Sequence, residues 1–248
     1  MLFLLSGEGP TDLGRMNLGV KGREFIPGPL TYFINGLFQE KYNYSLLESG
    51  TDQIRFITEA ELSDFAKQQK SDRQRALLLP GLKNHQLKPH GFMARALGWR
   101  ADSLKQEESV ECVIPVFFRD TDSPDDTDYQ EKLNSIDNGF AVSGFPNRGV
   151  AMLAKPKSES WLLCLVDSYQ NGQKYEEGPG NDDSPKSLKK QLRCKINPNS
   201  NNDDLSAREL VEFIKSFESI DFEKLACELV SFAEFMKRFN RALNADID

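Results

Sequence analysis

Three apolar runs stand out along the chain, and each is short enough to be a single strand. They are Met1 to Leu5, Val110 to Phe118 and Gly149 to Ala154. Uninterrupted apolar runs of this length are typical of strands that are buried on both faces, as in parallel sheets. Pro115 lies inside the second run and cannot donate a backbone hydrogen bond, so we expect a bulge there or a strand that starts after the proline.

Between and after these runs, apolar residues recur every three or four positions, which predicts helices. One helix opens at Pro29, a second covers about Glu59 to Lys70, and a third begins at about Ser158. Strands separated by helices imply βαβ units, so the expected fold is α/β with a mainly parallel sheet flanked by helices. Residues 13–29 contain many glycines and prolines and are predicted to form an irregular loop.

The C-terminal region has the clearest helical pattern. Ser206 and Glu209 form a capping box before one helix, and Asp221 caps a second, with Ile220 and Leu225 placed as a hydrophobic staple. This predicts a helical hairpin over 206–248 whose phenylalanine-rich stripe packs on the rest of the protein or on a partner. Residues 1–168 are then the α/β domain, and the polar stretch 169–205 is a loop or linker.

Acidic residues follow each of the three predicted strands: Glu8, then Asp120 and Asp122, then Glu159. The carboxyl ends of parallel strands meet at one edge of a sheet, so these side chains are expected to converge. Carboxylate oxygens without His or Cys favour Mg²⁺ or Mn²⁺, which can activate water and stabilise a leaving oxygen in phosphoryl chemistry. The structural alternative is that acids are common in turns and in the first turn of a helix.

The segment LFLLSGEGPTD, from Leu2 to Asp12, resembles the opening of TOPRIM domains, and Phe117 to Asp122 resembles their Asp-x-Asp motif. The resemblance is closest to OLD-family nucleases and small stand-alone TOPRIM-like proteins of bacterial defence loci. It implies that Glu8 acts in acid–base or metal-binding work and that Asp120 and Asp122 bind metal. It further implies that Asp12 and Glu159 are metal ligands. Lys155, at the end of the third predicted strand, is a candidate to neutralise charge in the transition state.

Charge is unevenly distributed along a chain whose formal net charge is −7. Residues 67–100 contain eight Lys and Arg against one acid, whereas residues 101–140 contain eleven acids against three Lys and Arg. The basic stretch either tracks the phosphates of a nucleic acid, with Phe92 and Trp99 as stacking partners, or is an ordinary solvated face. Its candidate nucleic-acid-binding residues are Arg73, Arg75, Lys83, Lys88 and Arg95.

Several features restrict the function further. The four cysteines form no CxxC pair, the two histidines are too few for most His-based hydrolases, and there is no Walker motif. No run is apolar enough for a signal peptide or a membrane span, so a reducing, cytoplasmic location without a membrane partner is expected.

The function predicted from these features is a Mg²⁺- or Mn²⁺-dependent nuclease that cuts DNA in preference to RNA, in bacterial defence and with a separate ATPase subunit. The alternatives are a non-catalytic TOPRIM-like interaction or regulatory subunit and another Mg²⁺-dependent phosphotransfer enzyme.

Overall fold

The computed structural model describes residues 1–9, 11–19, 22–48, 51–72, 89–199 and 204–245. Its centre is a four-stranded sheet in which all neighbours are parallel, in the order β4-β1-β5-β6. These strands are β1 (Leu2–Gly7), β4 (Ile54–Thr58), β5 (Val113–Asp120) and β6 (Val150–Ala154). The predicted α/β class with a parallel sheet flanked by helices is therefore confirmed.

Helices cover both faces of this sheet. Leu4 and Phe117 point to one face, where they pack with α2 (Glu59–Asp72), α3 (Pro89–Glu107) and α4 (Asp126–Val142). Leu5 and Phe118 alternate to the other face, where the larger core forms. The helices that contribute to that second face are α1 (Pro29–Tyr42), α5 (Glu159–Val166), α6 (Gly172–Glu176), α7 (Leu188–Ile196), α8 (Ala207–Lys215), α9 (Phe222–Glu228) and α10 (Val230–Asn244).

The prediction of a bulge or a late start at Pro115 is wrong. Strand β5 begins at Val113 and runs through the proline, which pairs with Leu4 of β1. The pairing of β5 with β6 starts only at Val116. At Pro115 the strand therefore has a paired neighbour on one side only, as at the edge of a sheet, where proline is tolerated.

Residues 13–29, predicted as an irregular loop, instead contain a β-hairpin. Strands β2 (Gly14–Gly19) and β3 (Gly22–Pro27) pair antiparallel, from Gly14 opposite Pro27 to Gly19 opposite Gly22. Gly14 has a φ of +114°, and a Cβ atom there would lie 2.2 Å from the carbonyl oxygen of Ile26. Gly14 is thus needed for the paired conformation, although the glycines and prolines of residues 13–29 favoured a loop.

The C-terminal helices also differ from the prediction. Leu229 adopts an extended conformation and divides the expected second helix into α9 and α10, so the described residues 204–245 form three helices rather than a hairpin. The Glu176 carboxylate accepts hydrogen bonds from the backbone N–H groups of Val230 (3.0 Å) and Ser231 (2.7 Å) and so caps α10. Glu176 belongs to α6, which together with α7 lies in the stretch predicted as loop or linker.

The stripe of the last helix is part of the main core. Phe232 and Phe239 are fully buried and Leu229 is as well, as predicted, whereas Phe213 and Phe217 are half-buried. The Phe232 ring lies 5.1 Å from Trp161 and 5.6 Å from Phe33, measured between ring centroids. Within the described part of the chain, no helix is both long and apolar enough to cross a membrane.

Removing the Phe232 ring should destabilise the whole protein. We expect Phe232→Ala to lower the free energy of unfolding by about 3–5 kcal/mol, because a cavity is left among aromatic rings that cannot collapse fully. The neighbouring Val230 is 59% exposed, so Val230→Ala should change it by less than about 0.5 kcal/mol. Urea unfolding of both variants measures the difference, and equal effects would contradict the packing described for α10.

Candidate functional site

An acidic pocket of about 430 Å³ lies beyond the carboxyl ends of β1 and β5. Ligand sites of parallel α/β sheets are found at this edge. Six acids and two lysines line it, and α7 and α8 supply apolar wall. The lining residues are Glu8, Gly9, Thr11, Asp12, Asp120, Lys157, Glu159, Asp182, Lys189, Leu192, Asp204, Leu205, Ala207 and Leu210.

Asp120 is held at this edge by the start of α5. It is the last residue of β5, and its Oδ1 accepts a hydrogen bond from the backbone N–H of Ser158 (2.9 Å), the residue that precedes the helix. Glu159 is the first residue of the same helix, so this contact sets the two carboxyl groups beside one another. The Oε2 of Glu159 is buried and has no hydrogen-bond partner among the described residues.

Asp12 reaches the pocket because the chain after β1 is tied to the start of α1. Its carbonyl oxygen accepts a hydrogen bond from the backbone N–H of Leu30 (3.0 Å), and that of Leu13 accepts one from Gly28 (3.0 Å). A Cβ atom at Gly28 would lie 2.4 Å from the Asp12 carbonyl oxygen, so this close approach requires glycine. The two ends of the β2–β3 hairpin are therefore joined here, and the Asp12 side chain lines the pocket.

The three innermost carboxyl groups resist ionisation. Burial, the charge of Glu159 and the charge of Asp12 hold the pKa of Asp120 well above its usual range. Burial raises the pKa of Glu159 to about 7, with Asp12 contributing, and burial raises the pKa of Asp12 to about 6. The shared cause is removal from water next to like charges, which is the condition that a bound cation would relieve.

Two lysines that were not predicted to be catalytic border these carboxyl groups. Lys157 Nζ donates to Asp122 Oδ1 (2.7 Å) and lies 3.6 Å from Asp182 Oδ1, while Lys189 Nζ donates to Asp182 Oδ2 (2.7 Å). Burial lowers the pKa of Lys157, but the hydrogen bond to Asp122 and the nearby carboxylates raise it overall. Lys157 could have been found in the sequence, since it lies two positions before Glu159, whereas Lys189 lies in the polar stretch predicted as loop or linker and carried no such signal.

Asp122 and Lys155 do not line the pocket. The chain leaves the extended conformation after Asp120, and Asp122 has a φ of +55°, so the expected alternation that would align it with Asp120 is lost. Its carboxylate pairs with Lys157 and so acts on the pocket through that lysine. The Lys155 side chain is buried and forms an ion pair with Asp126 instead.

Glu8 borders the pocket but turns its carboxylate toward Arg119, with which it forms an ion pair. The Arg119 Nε also lies 3.0 Å from Glu59 Oε1, at the start of α2. The guanidinium group therefore bridges two carboxylates on the opposite side of the sheet edge from Asp120.

Of the predicted nucleic-acid-binding residues, only Arg95 lies within the described residues, and Arg73, Arg75, Lys83 and Lys88 lie outside them. Arg95 is on α3, with its guanidinium carbon 4.8 Å from the centre of the Trp99 ring and 5.1 Å from that of Phe92. These rings, predicted to stack on bases, contact an arginine of their own helix.

Over the residues that the structure describes, no three His, Cys, Asp or Glu side chains converge closely enough to hold a metal ion. Asp12, Asp120 and Glu159 share a pocket without closing on one point. Their donor atoms are all carboxylate oxygens, the set that suits Mg²⁺ or Mn²⁺.

The raised pKa values predict how stability depends on pH without metal. From about pH 4 to pH 7 the folded protein binds these protons more tightly than the unfolded chain, so the free energy of unfolding falls as pH rises. Asp120→Asn cannot ionise and keeps an oxygen for the Ser158 N–H. We expect it to raise the free energy of unfolding at pH 7.5 by about 1–3 kcal/mol and to flatten the pH profile.

Chemical denaturation in chelator between pH 5 and pH 8 tests this prediction. Glu111→Gln is the matched control, because Glu111 is exposed and precedes β5 at the other edge of the sheet. It should leave the pH profile unchanged. A lower stability of Asp120→Asn at pH 7.5 would mean that the Asp120 carboxylate supports the fold.

No protein-family model, curated protein or solved structure matches this chain.

Proposed function

We propose that the protein is a TOPRIM-like, metal-dependent nuclease that hydrolyses phosphodiester bonds at the acidic pocket. The observation that carries the proposal is the set of three carboxyl groups, Asp12, Asp120 and Glu159, whose pKa values are all raised by burial, with neighbouring carboxylates contributing. Holding such groups together destabilises the metal-free protein, which is typical of sites built for function.

A divalent cation fits the chemistry of this pocket. Asp12, Asp120 and Glu159 would hold it, and the buried, unpartnered Oε2 of Glu159 offers it a free donor. The positive charge would offset the repulsion between carboxylates and allow them to approach one another. When bound, Mg²⁺ or Mn²⁺ supplies a Lewis acid and lowers the pKa of coordinated water.

The lysines beside the pocket suit a phosphodiester substrate. Lys157 and Lys189 share Asp182, and Lys157 also pairs with Asp122, so both ammonium groups lie beside the pocket in ion pairs for which a phosphate can compete. A phosphate entering the pocket would form ion pairs with these ammonium groups, and its negative charge would lie beside the cation site. The Ser158 N–H should hold the Asp120 carboxyl group in the same position before and after the substrate binds, because this backbone hydrogen bond does not involve the substrate.

The resemblance to TOPRIM domains supports the same assignment from sequence. The glutamate of its opening motif corresponds to Glu8, its Asp-x-Asp motif to Asp120 and Asp122, and its acidic helix start to Glu159. We further propose DNA as the preferred substrate, a separate ATPase subunit that gates cleavage, and a role in bacterial defence.

Loss of single carboxylates should abolish cleavage without unfolding the protein. We expect Asp120→Asn and Glu159→Gln each to cut single- and double-stranded DNA at least about 100-fold more slowly in Mn²⁺, because each removes charge that holds the cation. Glu8→Gln should also lower the rate. Gel assays on plasmid, linear DNA and RNA measure this, with thermal melts to confirm folding.

Asp183→Asn is the matched control for these variants. Asp183 is exposed and adjacent to Asp182 but does not line the pocket, so its rate should stay within about twofold of the wild type. Mn²⁺ binding without cleavage of any substrate would favour a non-catalytic subunit. Absence of both Mn²⁺ binding and cleavage would refute the nuclease proposal.

The basic stretch predicts a salt-dependent affinity for nucleic acid. Replacing Arg73, Arg75 and Lys83 by Ala should reduce the slope of log affinity against log salt by up to about 2–3, since each lost phosphate contact releases roughly 0.7–0.9 fewer counterions. Fluorescence anisotropy between 50 and 300 mM NaCl checks this. An unchanged slope would identify the stretch as a solvated face.

A further inference from the structure

A second polar cluster lies on the other side of the sheet edge, around Arg119. The Arg119 side chain follows Phe117 in the strand alternation, so it faces the layer of α2, α3 and α4. It contacts Glu59 of α2 and Glu8. Burial, followed by the positive charges of Arg119 and Lys132, lowers the pKa of His90 on α3 to about 4, which places His90 in the same environment.

The positive charge of Arg119 does not balance the two carboxylates that it contacts. One guanidinium group contacts two carboxylates, and the pKa of Glu59 is raised by burial and by the charge of Glu8 although Arg119 lowers it. Glu8 is the more exposed of the two, at 45% of its side chain against 22% for Glu59. If Glu8 left, Arg119 and Glu59 would remain as a one-to-one pair, so Glu8 is the partner that can be exchanged.

Glu8 also borders the acidic pocket, where it contributes to the raised pKa of Asp12. Without a cation, turning its carboxylate inward would add a fourth carboxyl group beside Asp12, Asp120 and Glu159, whose own ionisation is already opposed. Repulsion therefore favours the contact with Arg119. A divalent cation reverses this preference, since Glu8 would then gain a partner in the pocket.

We propose that Arg119 holds Glu8 away from the acidic pocket until a divalent cation binds, and that Arg119, once released, binds a phosphate of the substrate. This inference rests on the proposed function, because it assumes that the pocket binds the cation. A guanidinium group freed from one carboxylate presents paired N–H donors that match a phosphate. Because Glu8 cannot serve both partners, cation binding and phosphate binding each favour the other, and by the same factor.

A double-mutant cycle on Mn²⁺ affinity tests the competition for Glu8. Arg119→Gln frees Glu8 and should tighten Mn²⁺ binding by about tenfold in the wild-type background. In the Glu8→Gln background the same change should tighten binding by less than about twofold, because no carboxylate is released. Electron paramagnetic resonance of free Mn²⁺ measures all four affinities, and the difference between backgrounds isolates the coupling of the two residues.

Arg55→Gln is the matched control. Arg55 forms a comparably exposed ion pair with Glu108 (2.6 Å) on the same sheet but outside the acidic pocket, so Mn²⁺ affinity should not change. An equal gain from Arg119→Gln in both backgrounds would mean a general charge effect and would overturn the inference while leaving the nuclease proposal intact. If neither the wild type nor any variant binds Mn²⁺, both the inference and the nuclease proposal are overturned.

Phosphate binding by Arg119 can be measured separately from Mn²⁺ binding. Binding of a short single-stranded oligonucleotide is followed by anisotropy, with Ca²⁺ in place of Mn²⁺ to suppress turnover. Ca²⁺ should strengthen binding to the wild type, and this gain should fall about tenfold in Arg119→Gln and less in Arg119→Lys, which keeps the charge. A gain that is unchanged in Arg119→Gln would show that Arg119 does not bind the phosphate.

Discussion

The parallel pairing of β5 with both β1 and β6 is the constraint on which the site depends. It places Gly7, Asp120 and Ala154 at one edge of the sheet, so that the chain segments leaving each strand meet there. The hydrogen bond from Ser158 to Asp120 then joins the end of β5 to the start of α5. One backbone arrangement thus positions Asp120 and Glu159 together, without any direct attraction between two groups that repel each other.

Sequence patterns predicted this arrangement where burial alone decides it. Three of the four parallel strands appear as apolar runs because both their faces are covered, and the helix starts at Pro29 and Ser158 follow from proline and acidic signals. Strand β4 lies at the edge of the sheet, with Arg55 interrupting its apolar residues, and was missed. The hairpin was missed because Gly14 supplies a backbone conformation that composition alone associates with loops.

The acidic residues of the candidate site could be predicted from the sequence, whereas the residues that contact them were harder to predict. Glu8, Asp12, Asp120 and Glu159 line one pocket, because each follows a strand or starts a helix at the same edge. Asp122 pairs with Lys157 because its positive φ breaks the strand alternation, which two-residue spacing cannot reveal. Asp182 and Lys189 come from the polar stretch after α5, and no local pattern indicates that α7 folds back over the pocket.

Carboxyl groups outnumber the basic groups that they contact on both sides of the sheet edge, and Glu8 lies between the two sides. On the side of Asp120 and Glu159 the carboxyl groups outnumber Lys157, and burial raises the pKa values of both acids. On the other side Arg119 has two carboxylates and can release one without leaving its charge unpaired. Glu8 is attached to neither helical layer, since it follows β1 directly between glycines, which leaves its side chain able to serve either side. The position of this single residue therefore couples the charge state of the acidic pocket to that of Arg119.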